Sequence, residues 1–338
     1  MAPLIGLEVD LVARVSRSLY SPPFVIKPCV NDAKNGKRRN FVCASDARIF
    51  PTRRLPGRER PTLPHFRTST SSPQNTQPHM QTLLIGSGRV AGALLRRFQA
   101  VGAPLDEMWA RNATAALDLT AATSTRAVER LHDLTSAPEV CLLAVSDGAI
   151  PAVAARLRPY LSDRTLVAHT SGATSAGVLA PHFPNYGSFY PLQSFTTGRT
   201  PNWETLPLLV SAANPEGEAR LRTLARRIAR RVTVADDATR NQLHVAAVLV
   251  NNFTNHLYRL AADFCAERAV DFSLLHPLIE ETALKIQQIA PEAAQTGPAR
   301  RGDRTTMERH LNLLEPNEAL RELYVRLSEQ IQQNYRVR

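Results

Sequence analysis

Short apolar runs alternate with stretches of helical periodicity along the chain from residue 80 onward. Continuous apolar runs begin at Thr82, Val140 and Thr165, and such runs are typical of strands buried on both faces of a parallel sheet. A short helix is predicted at 127–134 and a loop at 187–195. Further strands are predicted at 106–110, 206–212 and 232–235. The alternation predicts an α/β fold built on a doubly wound, mostly parallel sheet.

The pattern changes after the last predicted strand. Apolar residues then recur at three- and four-residue spacing over 239–265, 274–288 and 318–335, which predicts long helices joined by short loops. Alternating βα units followed by a run of helices indicate two successive domains. We therefore predict a sheet-containing domain at 80–235 and an all-α domain at 236–338.

A glycine-rich turn joins the first predicted strand to the helix that follows it. Its residues, Gly86-Ser87-Gly88-Arg89-Val90-Ala91, fit the G-x-G-x-x-A pattern of a dinucleotide-binding turn. In that pattern Gly86 permits the tight turn, Gly88 lets the backbone approach a pyrophosphate, and Ala91 allows close packing of helix on sheet. A purely structural glycine turn is the alternative. The position between a strand and a helix favours a Rossmann domain that binds a nicotinamide dinucleotide.

The residues after the second predicted strand bear on the choice of cofactor. An Asp or Glu about 20 residues beyond the glycines would bind the ribose 2′-hydroxyl of NAD, but this chain has Arg111 and Asn112 there. A guanidinium suits the 2′-phosphate of NADP, so NADP is predicted ahead of NAD, with a solvated arginine as the alternative. Val145 and Ser146, at the end of a later strand, are predicted to line the same cofactor site.

Polar residues at a strand end and on one helix face are the candidates for chemistry. His169 ends a predicted parallel strand, at the edge where open α/β sheets bind ligands. His244 shares a helix face with several asparagines, and unpaired buried amides cost about 1–3 kcal/mol each, so this face is predicted to meet a polar cleft. A hydrogen-bonded structural role is the alternative for each residue. Candidate catalytic residues are His169, His244, Asn251 and Asn252, and candidate substrate-binding residues are Ser171, Gly172, Tyr190, Gln193, Asn255, Arg301 and Asp303.

The positive charge of the chain is concentrated before the first predicted strand. The 338 residues carry a net charge of +11, but residues 1–79 alone hold 13 Lys+Arg, 5 Asp+Glu and 10 of the 24 prolines. This segment has no periodic apolar stripe, which predicts a disordered extension. A targeting peptide is one interpretation of its Arg- and Ser-rich composition, and a true start at Met80 is the interpretation that we favour. Because the remaining residues are nearly balanced in charge, the basic composition does not indicate nucleic-acid binding.

The composition also narrows the cellular setting. The sequence has no uninterrupted apolar run of roughly 18 residues, the length of a membrane-spanning helix, so no membrane partner is expected. Its four cysteines lack the spacing of a disulfide framework or a zinc site, so no metal is expected and a reducing, cytoplasmic compartment fits.

From Met80 to its end, the sequence resembles the bacterial family of Rossmann-like proteins with a C-terminal domain of unknown function, DUF2520. The resemblance rests on 86–92, 169–174, 190–195, 244–255, 296–303 and the residues His310, Leu311 and Leu314. It implies the wider 6-phosphogluconate dehydrogenase-like superfamily. It also implies NAD(P) as cofactor and a helical domain through which two copies form a homodimer.

One departure from that superfamily affects the expected reaction. Its β-hydroxyacid dehydrogenases carry a catalytic lysine four residues before an asparagine, where this chain has Ala247 and Val248. Proton transfer is then expected from His169 or His244, because histidine ordinarily titrates near neutral pH. The predicted function is an NADP-dependent oxidoreductase acting on a small, anionic metabolite between the domains. A non-catalytic dinucleotide-binding sensor or scaffold is the alternative.

Overall fold

The computed structural model describes residues 79–135 and 137–335, which lie in one compact unit, Gln74–Arg338. Except for His79, the predicted extension at 1–79 lies outside the described residues. Within them the last strand ends at Val234, and every regular element that follows is helical. The predicted fold class, a mostly parallel sheet followed by a helical region, is confirmed.

A single eight-stranded sheet organises the first part of the described chain. Its strands are β1 Thr82–Ile85, β2 Glu107–Trp109, β3 Arg126–Val128, β4 Val140–Leu143, β5 Leu166–His169, β6 Tyr186–Pro191, β7 Pro207–Ala212 and β8 Arg231–Val234. They are ordered β3-β2-β1-β4-β5-β6-β7-β8, and neighbouring strands are parallel except β6 and β7. The order reverses between β1 and β4, the place where open α/β sheets bind ligands.

The helices cover the sheet and then continue as a separate helical region. They are α1 Arg89–Ala100, α2 Ala113–Thr120, α3 Ile150–Leu157, α4 Pro215–Arg226, α5 Asp237–Ala247, α6 Thr254–Ala266, α7 His276–Gln288, α8 Pro291–Ala294, α9 Pro298–Arg301, α10 Arg304–Leu313 and α11 Glu318–Tyr335. The long helix predicted at 239–265 is interrupted by a π-helical turn, Val248–Phe253, between α5 and α6. Such turns are frequent at functional sites.

Two predicted elements are wrong. The helix predicted at 127–134 is strand β3 followed by a 3₁₀ turn, because residues 126–128 pair with β2. The loop predicted at 187–195 begins as β6, which pairs with strands on both sides. Gly187 favoured the loop interpretation, but here it permits close strand packing, since a Cβ at this position would lie 2.2 Å from the Ser211 carbonyl oxygen.

Apolar side chains alternate between the two faces of the central strands. On one face Leu84 packs with Phe98 of α1, and on the other Leu83 and Ile85 pack with Leu157 of α3. Burying both faces explains why the central strands read as continuous apolar runs. The strands that lead to the candidate site are therefore packed on both faces.

The helical region leaves many apolar side chains exposed. Val250 and Leu274 are each 72% exposed, and Leu278 is 63% exposed. Among the described residues, no helix combines the length and apolar character needed to cross a membrane.

Candidate functional site

The glycine turn after β1 is fixed by packing against the neighbouring strand. Gly86 has φ of +117°, and a Cβ on it would lie 2.3 Å from the Ala144 carbonyl oxygen. Its N–H donates to the Trp109 carbonyl at 2.9 Å. Only glycine combines this conformation with this close approach, so Gly86 is required by the fold itself.

Gly88 has a different role, because the space beside it is empty of protein. It precedes the first turn of α1, and apart from its two chain neighbours no atom of the described residues lies within 4 Å of the position that a Cβ would take. Of the other residues of the turn, Ser87 and Val90 are half-buried, Arg89 is exposed and Ala91 is fully buried. Free N–H groups at the start of α1 and an open approach over Gly88 fit a pyrophosphate.

A cavity of about 390 Å³ opens beside this turn, at the carboxyl ends of β1, β2 and β4. Six of the ten predicted cofactor-binding residues line it: Gly86, Ser87, Arg111, Asn112, Val145 and Ser146. Arg156 lines it as well, with its guanidinium 4.9 Å from the centre of the Trp109 indole. None of the described lining residues is acidic, so the cavity presents two cations and no carboxylate. It suits an anionic nucleotide.

Asn112 lines this cavity, and its side chain also caps a helix. Its Oδ1 accepts a hydrogen bond from the Ala115 N–H at 3.2 Å and so caps α2. Asparagine is among the preferred residues at this position of a helix.

His169 is buried beneath the strand ends rather than exposed to a cleft. It is 0% exposed, and its Nδ1 accepts a hydrogen bond from the Ser171 N–H at 3.2 Å. Burial lowers the pKa of His169, and the nearby Arg240 guanidinium lowers it further, so the ring is neutral near pH 7. A neutral, buried imidazole is placed to shape the turn that follows β5.

Tyr190, near the carboxyl end of β6, contacts His244 of α5. The Tyr190 hydroxyl and His244 Nδ1 are 3.1 Å apart and share a hydrogen bond. Both side chains pack on Gly172, where a Cβ would lie 2.5 Å from His244 Nδ1 and 2.7 Å from Tyr190 Cζ. Burial and the negative charge of Asp147 raise the pKa of Tyr190, so its hydroxyl keeps its proton near pH 7. The pair is a candidate for proton transfer.

Arg240, on α5, is a buried cation that the sequence analysis did not single out. It is 1% exposed, and its guanidinium donates to Ser188 Oγ at 2.9 Å and to the Thr174 carbonyl at 2.5 Å. It also pairs with Asp237 at 2.7 Å. Its Nε has no hydrogen-bond partner among the described residues. This side chain ties the first helix of the helical region to the sheet.

Asp237 completes that connection at the start of α5. Its carboxylate accepts hydrogen bonds from Ser175 Oγ at 2.5 Å and from the Ala176 N–H at 3.0 Å. Partial burial raises the pKa of Asp237, but these hydrogen bonds and Arg240 outweigh burial and hold the pKa below its ordinary value. The turn after β5 is thereby fastened to α5.

The spacing of these contacts explains how α5 is held in register with β6. Arg240 and His244 are four residues apart on the helix, a rise of about 6 Å, and face the same side. Their partners Ser188 and Tyr190 are two residues apart on β6, about 6.6 Å, and also face one side. Because the two spacings match, Arg240 can reach Ser188 while His244 reaches Tyr190. Extending the stripe His244–Asn255 back by one turn would have pointed to Arg240.

Two adjoining cavities lie between the loop after β6 and the first helix of the helical region. The first, about 540 Å³, has Tyr190 and His244 on its wall together with Gln193, Asn251 and Asn252. The second, about 600 Å³, is lined by Gln193, Asn251, Asn252 and Asn255 among others. The structure therefore brings these predicted residues together, and the asparagines lie on the π turn and the start of α6.

Three predicted substrate-binding residues occupy other positions. The Ser171 hydroxyl accepts hydrogen bonds from the Ala173 and Thr174 N–H groups and donates to Thr174 Oγ1, within the turn after β5. Asp303 caps α10 by accepting from the Thr306 N–H at 3.0 Å, and the Thr306 hydrogen bonds lower the pKa of Asp303. Neither Arg301 nor Asp303 lines the cavities described above.

Comparison with known proteins agrees with this architecture. A Rossmann-like domain matches residues 67–191, and the domain of unknown function DUF2520 matches residues 206–331. No curated protein matches the chain.

Solved structures share the fold. A crystal structure from Bacteroides fragilis, provisionally described as an NADP oxidoreductase, is 31% identical, with a TM-score of 0.71 over 75% of this chain and 98% of its own. A Thermotoga maritima protein is 21% identical, with a TM-score of 0.59 over 75% of this chain and 98% of its own. A reductive aminase from Aspergillus terreus, in complex with NADPH and ethyl-5-oxohexanoate, is 13% identical. Its TM-score is 0.57 over 76% of this chain and 93% of its own.

Fold and cavity together define a Rossmann-like protein with a helical C-terminal region. The chain belongs to the family of Rossmann-like proteins that carry a DUF2520 domain, as the sequence resemblance indicated. Its fold is that of dinucleotide-binding oxidoreductases.

Proposed function

We propose that the protein is an NADP-dependent oxidoreductase that acts on a small, anionic metabolite beside Tyr190 and His244. The observation that carries the proposal is the cavity at the carboxyl ends of the strands, where the glycine turn at Gly86 and Ser87 lies on the same wall as Arg111 and Arg156. Two cations without a lining carboxylate favour the 2′-phosphate of NADP over the 2′-hydroxyl of NAD.

When bound, NADPH would supply a hydride to the carbon of a carbonyl or imine group. Tyr190 would donate the proton that the oxygen or nitrogen of that group needs, since its hydroxyl is protonated near pH 7. His244 Nδ1, 3.1 Å from the hydroxyl, would hold it in position, and the imidazole would return a proton to the tyrosinate from Nδ1 while Nε2 takes one up from solvent. His169 stays a predicted acid or base, and its burial favours a role in positioning the turn beneath Tyr190.

Tyr190→Phe tests this proton donor. The substitution removes the hydroxyl but keeps the ring that packs on Gly172, so we expect turnover to fall by about 10²-fold or more while NADPH affinity is unchanged. The measurement is NADPH oxidation against a panel of small carbonyl and imine compounds. Tyr160→Phe, at an exposed tyrosine, is the matched control and should leave turnover unchanged.

The same assay separates the two functions considered from the sequence. NADPH binding without turnover of any panel compound would contradict the enzyme proposal and favour the non-catalytic sensor. Equal turnover by the wild-type protein and Tyr190→Phe would instead remove Tyr190 from the mechanism.

The homodimer stays a prediction. The exposed apolar side chains of the helical region, such as Val250, Leu274 and Leu278, favour a partner surface there. Sedimentation equilibrium of the full chain at micromolar concentration should give the mass of a dimer. The mass of a monomer would contradict the predicted homodimer.

A further inference from the structure

The polar cavity beside the π turn differs in chemistry from its neighbour. Of the ten described residues that line it, nine have polar side chains, Arg199 is the only charged one, and none is acidic. Arg199 forms no ion pair with any described residue. Glu204, the acidic residue nearest to it in this segment, pairs with Arg97 and Arg230. The cavity is therefore a positively charged polar space.

Two of the five amide side chains that line this cavity, Gln193 and Asn202, have an oxygen that already accepts a hydrogen bond from the backbone. Gln193 Oε1 already accepts from the Ser194 N–H at 2.8 Å, and Asn202 Oδ1 accepts from the Glu204 N–H at 3.0 Å. Each of these oxygens uses one of its two lone pairs in this way, while the NH₂ groups of Gln193 and Asn202 keep both of their donors for a ligand. A donor-rich wall with one guanidinium selects a ligand that accepts hydrogen bonds and carries negative charge.

The loop is shaped to bring Arg199 to this wall. The Arg199 N–H donates to the Thr196 carbonyl at 3.2 Å, which closes a four-residue turn. Gly198, at the third position of the turn, has φ of +81° with open space around it. This is the conformation for which a type II turn selects glycine.

The adjoining cavity supplies the other half of a binding site. It shares Gln193, Ser194, Asn251 and Asn252 with the polar cavity, so the two spaces adjoin at that wall. Beyond the shared residues its lining is largely apolar, with Leu192, Leu243 and Val250, up to Tyr190 and His244. A ligand spanning both would have an anionic end, an apolar body and a reactive group near the tyrosine.

We propose that the substrate is a carboxylic acid whose carboxylate pairs with Arg199 and the surrounding amides, and whose apolar chain extends toward Tyr190 and His244. The proposal rests on the proposed function and specifies its substrate class as a carboxylate-bearing carbonyl or imine compound. A bidentate guanidinium–carboxylate pair gives both affinity and orientation. Arg199 thus selects the substrate, while Tyr190 acts at the reacting end.

The test compares hexanoate with hexanamide, two unreactive probes of the same length that differ in charge. Calorimetric titration into the full-length protein with NADP⁺ present should show hexanoate binding at least tenfold more tightly than hexanamide. In Arg199→Ala we expect that preference to disappear. Arg309→Ala, at an exposed arginine of α10 outside the cavity, is the control and should keep it. Short oxo acids and their methyl esters, assayed by NADPH oxidation, should show the same dependence in KM.

The outcomes separate this inference from the proposed function. Equal affinity for hexanoate and hexanamide, or a preference that survives Arg199→Ala, overturns the carboxylate assignment and leaves NADPH binding untouched. Oxo acids that are not reduced while their esters are would overturn it as well. A protein that binds neither NADPH nor NADP⁺ contradicts the proposed function, whatever hexanoate does.

Discussion

Replacing Arg240 by alanine is expected to lower the free energy of unfolding by about 3 kcal/mol. The substitution removes a fully buried cation, takes one of the two hydrogen bonds of Ser188 Oγ and the guanidinium donor of the Thr174 carbonyl, and opens a cavity. Removing one member of a buried ion pair typically costs about 3–5 kcal/mol, and the partial exposure of Asp237 places this case at the lower end.

The measurement is urea unfolding of the full chain at neutral pH. Gln242→Ala, at an exposed residue of the same helix, is the matched control and should change the free energy of unfolding by less than about 0.5 kcal/mol. Arg240→Lys keeps the charge but cannot reach all three acceptors, so an intermediate loss is expected. A loss below about 1 kcal/mol in Arg240→Ala would contradict the role of Arg240 as the anchor of α5.

The two glycines of the turn are expected to respond in opposite ways to alanine. In Gly86→Ala the new Cβ would lie 2.3 Å from a backbone oxygen at positive φ, so we expect a loss of about 3 kcal/mol or more of stability. In Gly88→Ala the Cβ meets open space at a negative φ, so stability should stay within about 0.5 kcal/mol of wild type.

Although Gly88→Ala should leave stability unchanged, it should weaken the binding of the cofactor. Since the space over Gly88 is the proposed approach for the pyrophosphate, its Cβ should weaken NADPH binding by about tenfold or more, which is about 1.4 kcal/mol. Urea unfolding and calorimetric titration of the same preparations provide the two readouts. Gly88→Ala that is stable and binds NADPH like wild type would show that the turn serves the fold alone.

The parts of the fold that could be predicted from the sequence are those set by local pattern. The apolar runs of β1, β4 and β5 and the glycine turn at Gly86 are visible in a few consecutive residues, because burial on both faces and a positive φ each restrict residue choice. The change to helical spacing marks the helical region for the same reason.

The parts that were missed depend on contacts distant in sequence. The β6 segment is a strand because β5 and β7 pair with it, whereas its second residue, Gly187, and its last, Pro191, are of types common in loops. The β3 segment is three residues long and depends on β2. Short strands of this kind carry too little pattern to be recognised without their partners.

The residues of the candidate site also fall into those that the sequence indicates and those that only the folded structure reveals. Tyr190, His244 and the asparagines of the π turn were found because polar residues are conspicuous in apolar surroundings. The local sequence around Arg240 and Arg199 does not distinguish them from solvated arginines, which are the usual case. The burial of Arg240 is a property of the assembled fold.

The central claim is that the cavity beside the glycine turn binds NADP, and calorimetric titration of NADPH and NADH into the full-length protein tests it most directly. We predict that NADPH binds at least tenfold more tightly than NADH and that Arg111→Ala removes most of this difference, about 1.4 kcal/mol. Binding of neither dinucleotide would contradict the account. Equal binding of both would overturn the assignment of Arg111 and its neighbour Arg156 to the 2′-phosphate.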